Sequence, residues 1–203
     1  MIDLDSDWKD AAAVLLLLHG GKVESREPVG RANLAAARMT LLATALRRAL
    51  PLPVASVRYR VRGWNDEDGT RTPDPVRDAL DALETMEREL GPVPVVLVGH
   101  SMGGRTAARV AGYPTVRGAA LLAPWLPPDE AVAPLAGRSV LIAHGRQDRV
   151  TDPERSVAFA ARAGAVAEAV ELKLFDDGHA MLRRPGVWTR LVADFAGRVA
   201  TGP

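Results

Sequence analysis

The chain has 203 residues and is read as a single unit spanning 1–203, since domains commonly hold about 100–200 residues. Its 47% apolar content allows a substantial core and excludes a disordered chain. The 26 basic and 25 acidic residues are interspersed rather than blocked, which excludes a nucleic-acid footprint, and the lack of cysteine excludes disulfides, thiolate metal sites and a cysteine nucleophile.

The opening segment, Met1 to Trp8, is acidic and has none of the basic and apolar regions of a secretion signal. The apolar run Ala11 to Leu18 is far shorter than the roughly 20 residues that cross a bilayer. The expectation is a cytoplasmic protein without a membrane partner. Val14 to Leu18 is a continuous apolar run ending in His19-Gly20-Gly21, the pattern of a strand covered on both faces of a parallel sheet. Asn33 to Leu50 reads as a helix, with Leu34, Leu41, Leu42, Ala45 and Leu46 as its apolar stripe. Val54 to Val61 reads as the next strand, and over Val54 to Arg62 the residues Arg58, Arg60 and Arg62 alternate with Val57, Tyr59 and Val61. Asp74-Pro75 suits a helix start, an acceptor cap followed by proline. Val76, Leu80, Leu83, Met86 and Leu90 then make an apolar face.

Val95 to Val98 is a third apolar run, followed by a helix-forming segment. Gly118 to Ala123, Val140 to Ala143 and Val170 to Phe175 read as further strands. Asp152-Pro153 opens one helix between them, and Pro185 to Val199 forms the last. Strands and helices in this alternation imply right-handed βαβ units, hence a mainly parallel sheet of about six strands with helices on both faces. No internal repeat, low-complexity tract or interdomain linker interrupts it.

The third run climbs into Gly99-His100-Ser101-Met102-Gly103. A serine on a sharp strand-to-helix turn stands clear of its neighbours, and flanking glycines relieve the crowding that such a turn creates. The following helix aims free backbone N–H groups, that of Met102 included, at charge developing beside the serine. Asp148 lies just beyond the strand ending near Ala143, and His179 just beyond the strand ending at Phe175. With Ser101, Asp148 and His179 in that chain order, the sequence resembles the α/β-hydrolase fold family from Val14 to Val199.

The resemblance implies a nucleophile (Ser101), an orienting acid (Asp148) and a general base (His179). Asp152 competes for the acid role, but it precedes Pro153 and is better explained as a helix cap. His100 should point away from the serine oxygen, while His19 and His144 end strands before glycine and suit structural roles. By resemblance to His-Gly-Gly esterase loops, the oxyanion hole combines the N–H of Met102 with that of Gly21, Lys22 being the reserve. No phosphate-loop pattern surrounds Lys22. The family's first two strands are missing, so Val54 to Arg62 becomes a sheet edge, and its arginines guard against unwanted strand pairing; anion binding at Arg60 or Arg62 is the alternative. Only Pro124 to Arg138 separates two successive strands, which leaves no cap domain.

Trp64, Trp125, Met102 and Met181 are candidates for the substrate pocket and equally for core packing. The acidic loop Asn65 to Thr70 borders the site or is simply solvated. No metal or organic cofactor is expected. These readings converge on a serine hydrolase acting on carboxylic esters or thioesters of small molecules. An acyltransferase or cyclase using the same acyl-enzyme is the alternative, and a non-catalytic ligand-binding module the minor one; the oligomeric state is open.

Overall fold

A computed structural model of the chain describes residues 6–30, 33–66, 71–181 and 183–202. Six strands are present: β1 (Val14–Leu18), β2 (Val54–Val57), β3 (Val95–His100), β4 (Val116–Leu122), β5 (Ser139–Gly145) and β6 (Ala169–Phe175). They alternate with helices α1 (Leu34–Ala49), α2 (Asp74–Leu90), α3 (Met102–Val110), α4 (Pro153–Ala163) and α5 (Pro185–Thr201). The sheet order is β2-β1-β3-β4-β5-β6, and every neighbouring pair is parallel. This is the mainly parallel, two-faced architecture that the alternation of apolar runs predicts. Between β4 and β5, residues 123–138 hold only a short 3-10 turn, Ala133–Leu135, so no cap domain is inserted there.

Side-chain alternation divides the interior into two cores. Leu16 and Leu18 of β1 with Val95 and Leu97 of β3 face Leu83 and Met86 of α2, Ala107 of α3 and Phe159 of α4. Leu15, Leu17, Val96 and Val98 face the opposite way, against Met39 and Leu46 of α1 and Trp188, Val192 and Phe195 of α5. All five residues of β1 are buried, which is why its sequence is apolar without interruption. No helix among the described residues is long and apolar enough to cross a membrane.

Two side chains cap helices, Asp152 as its place before Pro153 implies. Asn33 accepts the Ala36 N–H at the start of α1, and Asp152 accepts the Glu154 N–H at the start of α4. Three expectations are corrected. The buried stripe of α1 is Met39, Leu42, Ala43 and Leu46, whose i, i+3, i+4, i+7 spacing keeps one face inward, whereas Leu34 and Leu41 are 81% and 70% exposed. Pro73 rather than Asp74 occupies the N-cap position of α2, with no side-chain cap; the Asp74 carboxylate instead accepts a hydrogen bond from the Asn65 side chain.

The third correction concerns Val54 to Arg62. β2 is indeed an edge, but it ends at Val57. Beyond it the backbone turns to meet the β1–α1 loop, with Lys22 N–H on Arg62 O, Arg62 N–H on Glu27 O and Gly63 N–H on Ser25 O, each at 2.9 Å. The Arg60 side chain pairs with Asp78 at 2.5 Å and Arg62 with Glu27 at 2.9 Å. These two arginines fasten a loop to its neighbours and do not guard a strand.

One buried ion cluster ties α3 to residues 123–138. The Glu130 carboxylate accepts from Nε of both Arg105 and Arg109, and its carbonyl accepts from Arg162 at 2.9 Å. The Arg105 guanidinium also lies 4.1 Å from the Trp64 ring centre and 4.6 Å from that of Trp125. Removing one partner of a buried charge group leaves the other uncompensated, at a cost of about 3 kcal/mol. Glu130→Ala should therefore lower stability by about 3 kcal/mol in urea unfolding, and an unchanged midpoint would remove the cluster from the list of structural determinants.

Candidate active site

The site is assembled where β3, β5 and β6 end, the edge of a parallel sheet at which functional residues collect. Ser101 occupies the turn between β3 and α3 with φ 58° and ψ −119°, a strained conformation for a non-glycine residue. The ladder holds it there: Ser101 N–H donates to Leu122 O at 2.9 Å, and Ser101 O accepts from Gly104 N–H at 3.0 Å and Trp125 N–H at 3.1 Å. A Cβ on Gly103 would lie 2.1 Å from the Leu18 carbonyl oxygen, and one on Gly99 would lie 2.1 Å from that of Gly103. The glycines of Gly-x-Ser-x-Gly are thus dictated by backbone packing rather than by the serine's chemistry.

Ser101, His179 and Asp148 form a continuous hydrogen-bonded chain. The Ser101 hydroxyl lies 3.1 Å from His179 Nε2, and His179 Nδ1 lies 2.7 Å from Asp148 Oδ2. Because an ionised carboxylate can only accept, the imidazole proton sits on Nδ1 and the Nε2 lone pair faces the serine. The Asp148 side chain is fully buried. Its Oδ1 accepts the N–H groups of Val150 at 2.7 Å and Thr151 at 3.0 Å. Its Oδ2 also accepts the Thr151 hydroxyl at 2.8 Å. Burial by itself would raise the carboxyl pKa; the Thr151 and Val150 N–H groups, then His179 and the Thr151 hydroxyl, overcome it and bring it from 3.8 to about 2. Asp152, the competing carboxylate, caps α4.

Sequence reasoning missed several partners. His144 Nε2 also reaches Asp148 Oδ2, at 3.1 Å, and its Nδ1 meets the Ser156 hydroxyl at 2.7 Å. Burial lowers the His144 pKa, so this second imidazole stays neutral beside the carboxylate. Asp177 secures the loop that carries His179, accepting the Gly178 N–H and the Trp188 indole N–H, both at 2.8 Å. The sequence holds one signal for each: His144 stands four residues before Asp148, and Asp177 two before His179.

The loop after β1 lies against the elbow. A Cβ on Gly20 would be 3.3 Å from Ser101 Cβ, and one on Gly21 would be 2.4 Å from the end of the Met102 side chain. His19 holds this loop, its Nδ1–H donating to Gly20 O at 2.7 Å while its Nε2 accepts the Tyr59 N–H at 3.3 Å. Gly20 thus sits beside Ser101, and Gly21 against the end of the Met102 side chain. The N–H of Lys22 is spent on Arg62 O, which removes it as a reserve donor.

The four pocket candidates do not form one wall. Trp64 and Trp125 meet edge to face at 5.8 Å and belong to the core beside α2 and α3, around the Arg105 guanidinium. Met181, with φ 57°, packs into the other core, beside α1 and α5. Met102 is buried as well. Within the acidic loop, Asn65 accepts the Ser25 N–H through its side chain at 2.9 Å, while residues 67–70 lie outside the described residues. Among the described residues, no group of three or more His, Cys, Asp or Glu side chains is placed to hold a metal ion.

Comparison with known proteins bears on the fold. The sequence model of the alpha/beta hydrolase family matches residues 14–201. No curated protein matches the chain. Among solved structures, the esterase Pf2001 of Pyrococcus furiosus is similar at a TM-score of 0.71 and 16% identity, over 94% of this chain and 82% of that one. Est1E of Butyrivibrio proteoclasticus, solved with ferulic acid bound, reaches 0.69 and 15%, over 100% and 95%. A putative hydrolase of the alpha/beta superfamily from Xanthomonas campestris reaches 0.61 and 24%, over 91% and 98%.

The Asp148 carboxylate gives a pH test. A carboxyl pKa depressed from 3.8 to about 2 contributes stability that is complete above about pH 4 and is lost as pH falls toward about 2. Asp148→Asn should be less stable than the parent at pH 7, and the gap should close between about pH 4 and about pH 2, as followed by urea midpoints. A gap constant across that window would contradict the hydrogen-bonding scheme.

Proposed function

We propose that this chain, which belongs to the alpha/beta hydrolase family, is a cytoplasmic serine hydrolase that cleaves carboxylic esters or thioesters of small to medium molecules through an acyl-enzyme. The observation that carries the reading is the relay from Asp148 through His179 to Ser101, at 2.7 and 3.1 Å, with the serine on a strained turn. Ser101 Oγ attacks the substrate carbonyl while His179 Nε2 takes its proton. Asp148 holds the imidazole in the tautomer that leaves Nε2 free and stabilises the imidazolium that forms. The N–H groups of Gly21 and Met102 receive the oxyanion, a role supported by the packing of the Gly20-Gly21 loop against Ser101 and Met102. The alkoxide or thiolate then leaves with the proton from His179. Water attacks the acyl-enzyme with His179 again as base, and the acid is released. The similar Pf2001 of Pyrococcus furiosus is named as an esterase, which supports the ester as the bond attacked.

The purified protein should hydrolyse short-chain p-nitrophenyl esters and take up a fluorophosphonate probe. Ser101→Ala should abolish labelling and reduce turnover by at least about a thousandfold. Labelling that persists in Ser101→Ala would refute the nucleophile. Alcohol added to a model ester tests the alternative: product partitioning mainly to the new ester would make acyl transfer, not hydrolysis, the activity.

Substrate length is constrained by the short crossing between β4 and β5, where residues 123–138 add no domain over the site. Gripping a long acyl chain requires buried apolar area, at about 25 cal/mol per Å², and no cap supplies it. Values of kcat/KM should be higher for acetyl to butyryl esters than for palmitoyl esters, with no jump at the solubility limit. A steady rise with chain length would contradict this.

A further inference from the structure

We infer that His100, the residue before the nucleophile, is a positioning residue that fixes His179 by hydrogen-bonding its main chain. The inference rests on the reading of His179 as the base. His100 Nε2 lies 2.8 Å from the His179 carbonyl oxygen, and the two rings are tilted against each other with centres 4.8 Å apart. A carbonyl only accepts, so the His100 proton sits on Nε2 and a lone pair occupies Nδ1. That Nδ1 is buried and has no hydrogen-bond partner; it faces Gly20, 3.6 Å from where a Cβ would stand.

A buried nitrogen with no partner is destabilising. Phenylalanine would fill the same space without it, so packing does not account for a histidine here. What histidine alone supplies is the Nε2–H donated to the base's own backbone. The sheet order shows why such a bond is needed. β3, which leads into Ser101, and β6, which leads into His179, are separated by β4 and β5. The β6–α5 loop must reach back across both strands, and His100, covalently next to Ser101, fastens it at the far end. The ring also stays uncharged: burial first, and the neighbouring His179 second, lower its pKa to about 3. It therefore remains a donor through Nε2 and adds no positive charge beside the imidazolium of His179.

The test compares two variants with the parent. His100→Phe removes the donor and the unpartnered nitrogen together, so its Tm should equal or exceed the parent's. Its kcat on p-nitrophenyl acetate, per site titrated with fluorophosphonate, should fall about tenfold with KM unchanged. His100→Gln keeps an amide N–H at similar reach and should recover most of kcat. Parental kcat in His100→Phe, or an equal loss in His100→Gln, would overturn the inference. NMR reads the same bond without turnover. The parent should show the Nε2–H tautomer of His100, and its downfield His179 Nδ1–H signal should be lost or broadened in His100→Phe. An Nδ1–H tautomer, or an unaltered His179 signal in a folded His100→Phe, would overturn the inference even if no ester is cleaved. Failure of the parent to hydrolyse any ester, with these NMR outcomes intact, would instead count against the enzymatic reading alone.

Discussion

A carboxylate with no access to water constrains everything around it, and the Asp148 side chain is fully buried. Isolated in that position, an ionised group would be far too costly to keep. It persists because two backbone N–H groups, a hydroxyl and two imidazoles converge on it. Each of those donors comes at the expense of a conformational constraint. The loop after β5 must coil so that Val150 and Thr151 present their N–H groups, and the loop after β6 must bring His179 across. The orientation of His179 toward Ser101 is thus a by-product of neutralising a buried charge.

The same economy applies to the neighbouring histidines. His19, His100, His144 and His179 all hydrogen-bond atoms at the carboxyl end of the sheet. Three of them are buried, with pKa values lowered first by burial, so they act as neutral donors and acceptors. Their rings tie the β3, β5 and β6 loops to one another and the β1 loop to Tyr59 after β2. The imidazole that faces the serine is also the least buried, its side chain 16% exposed.

Much of this was legible in the residues, for identifiable reasons. β1 and β3 are buried on both faces and so appear as unbroken apolar runs. Asn33 and Asp152 cap helices through contacts two or three residues away, which local sequence encodes. Ser101 was legible because Gly99 and Gly103 are required by backbone contacts that no side chain can share. The failures have a common cause in distance along the chain. β2 stops at Val57 because residues 61–63 bond to residues 22–28, a pairing that alternation cannot reveal. The face of α1 depends on its contact with α5, which decides between Leu41 and Leu42. Trp64 and Trp125 pack around a guanidinium held by Glu130, and Met181 turns into the other core; composition alone could not separate these from a pocket wall. His100 and His144 needed partners 79 and 4 residues away, and only the fold supplies the first.

The all-parallel order of the sheet also bears on how the molecule acquires its activity. Within the six-stranded sheet no neighbouring strands are joined by a hairpin; each parallel ladder waits for a crossover connection to close. Contacts of such long sequence separation are slow to form, because loop-closure entropy precedes the stabilising contacts. Ser101 and His179 stand 78 residues apart and meet only after β3, β4, β5 and β6 have aligned in turn. Long-range pairing of this kind forms slowly, so helical signal on refolding should return before the hydroxyl and the imidazole find each other.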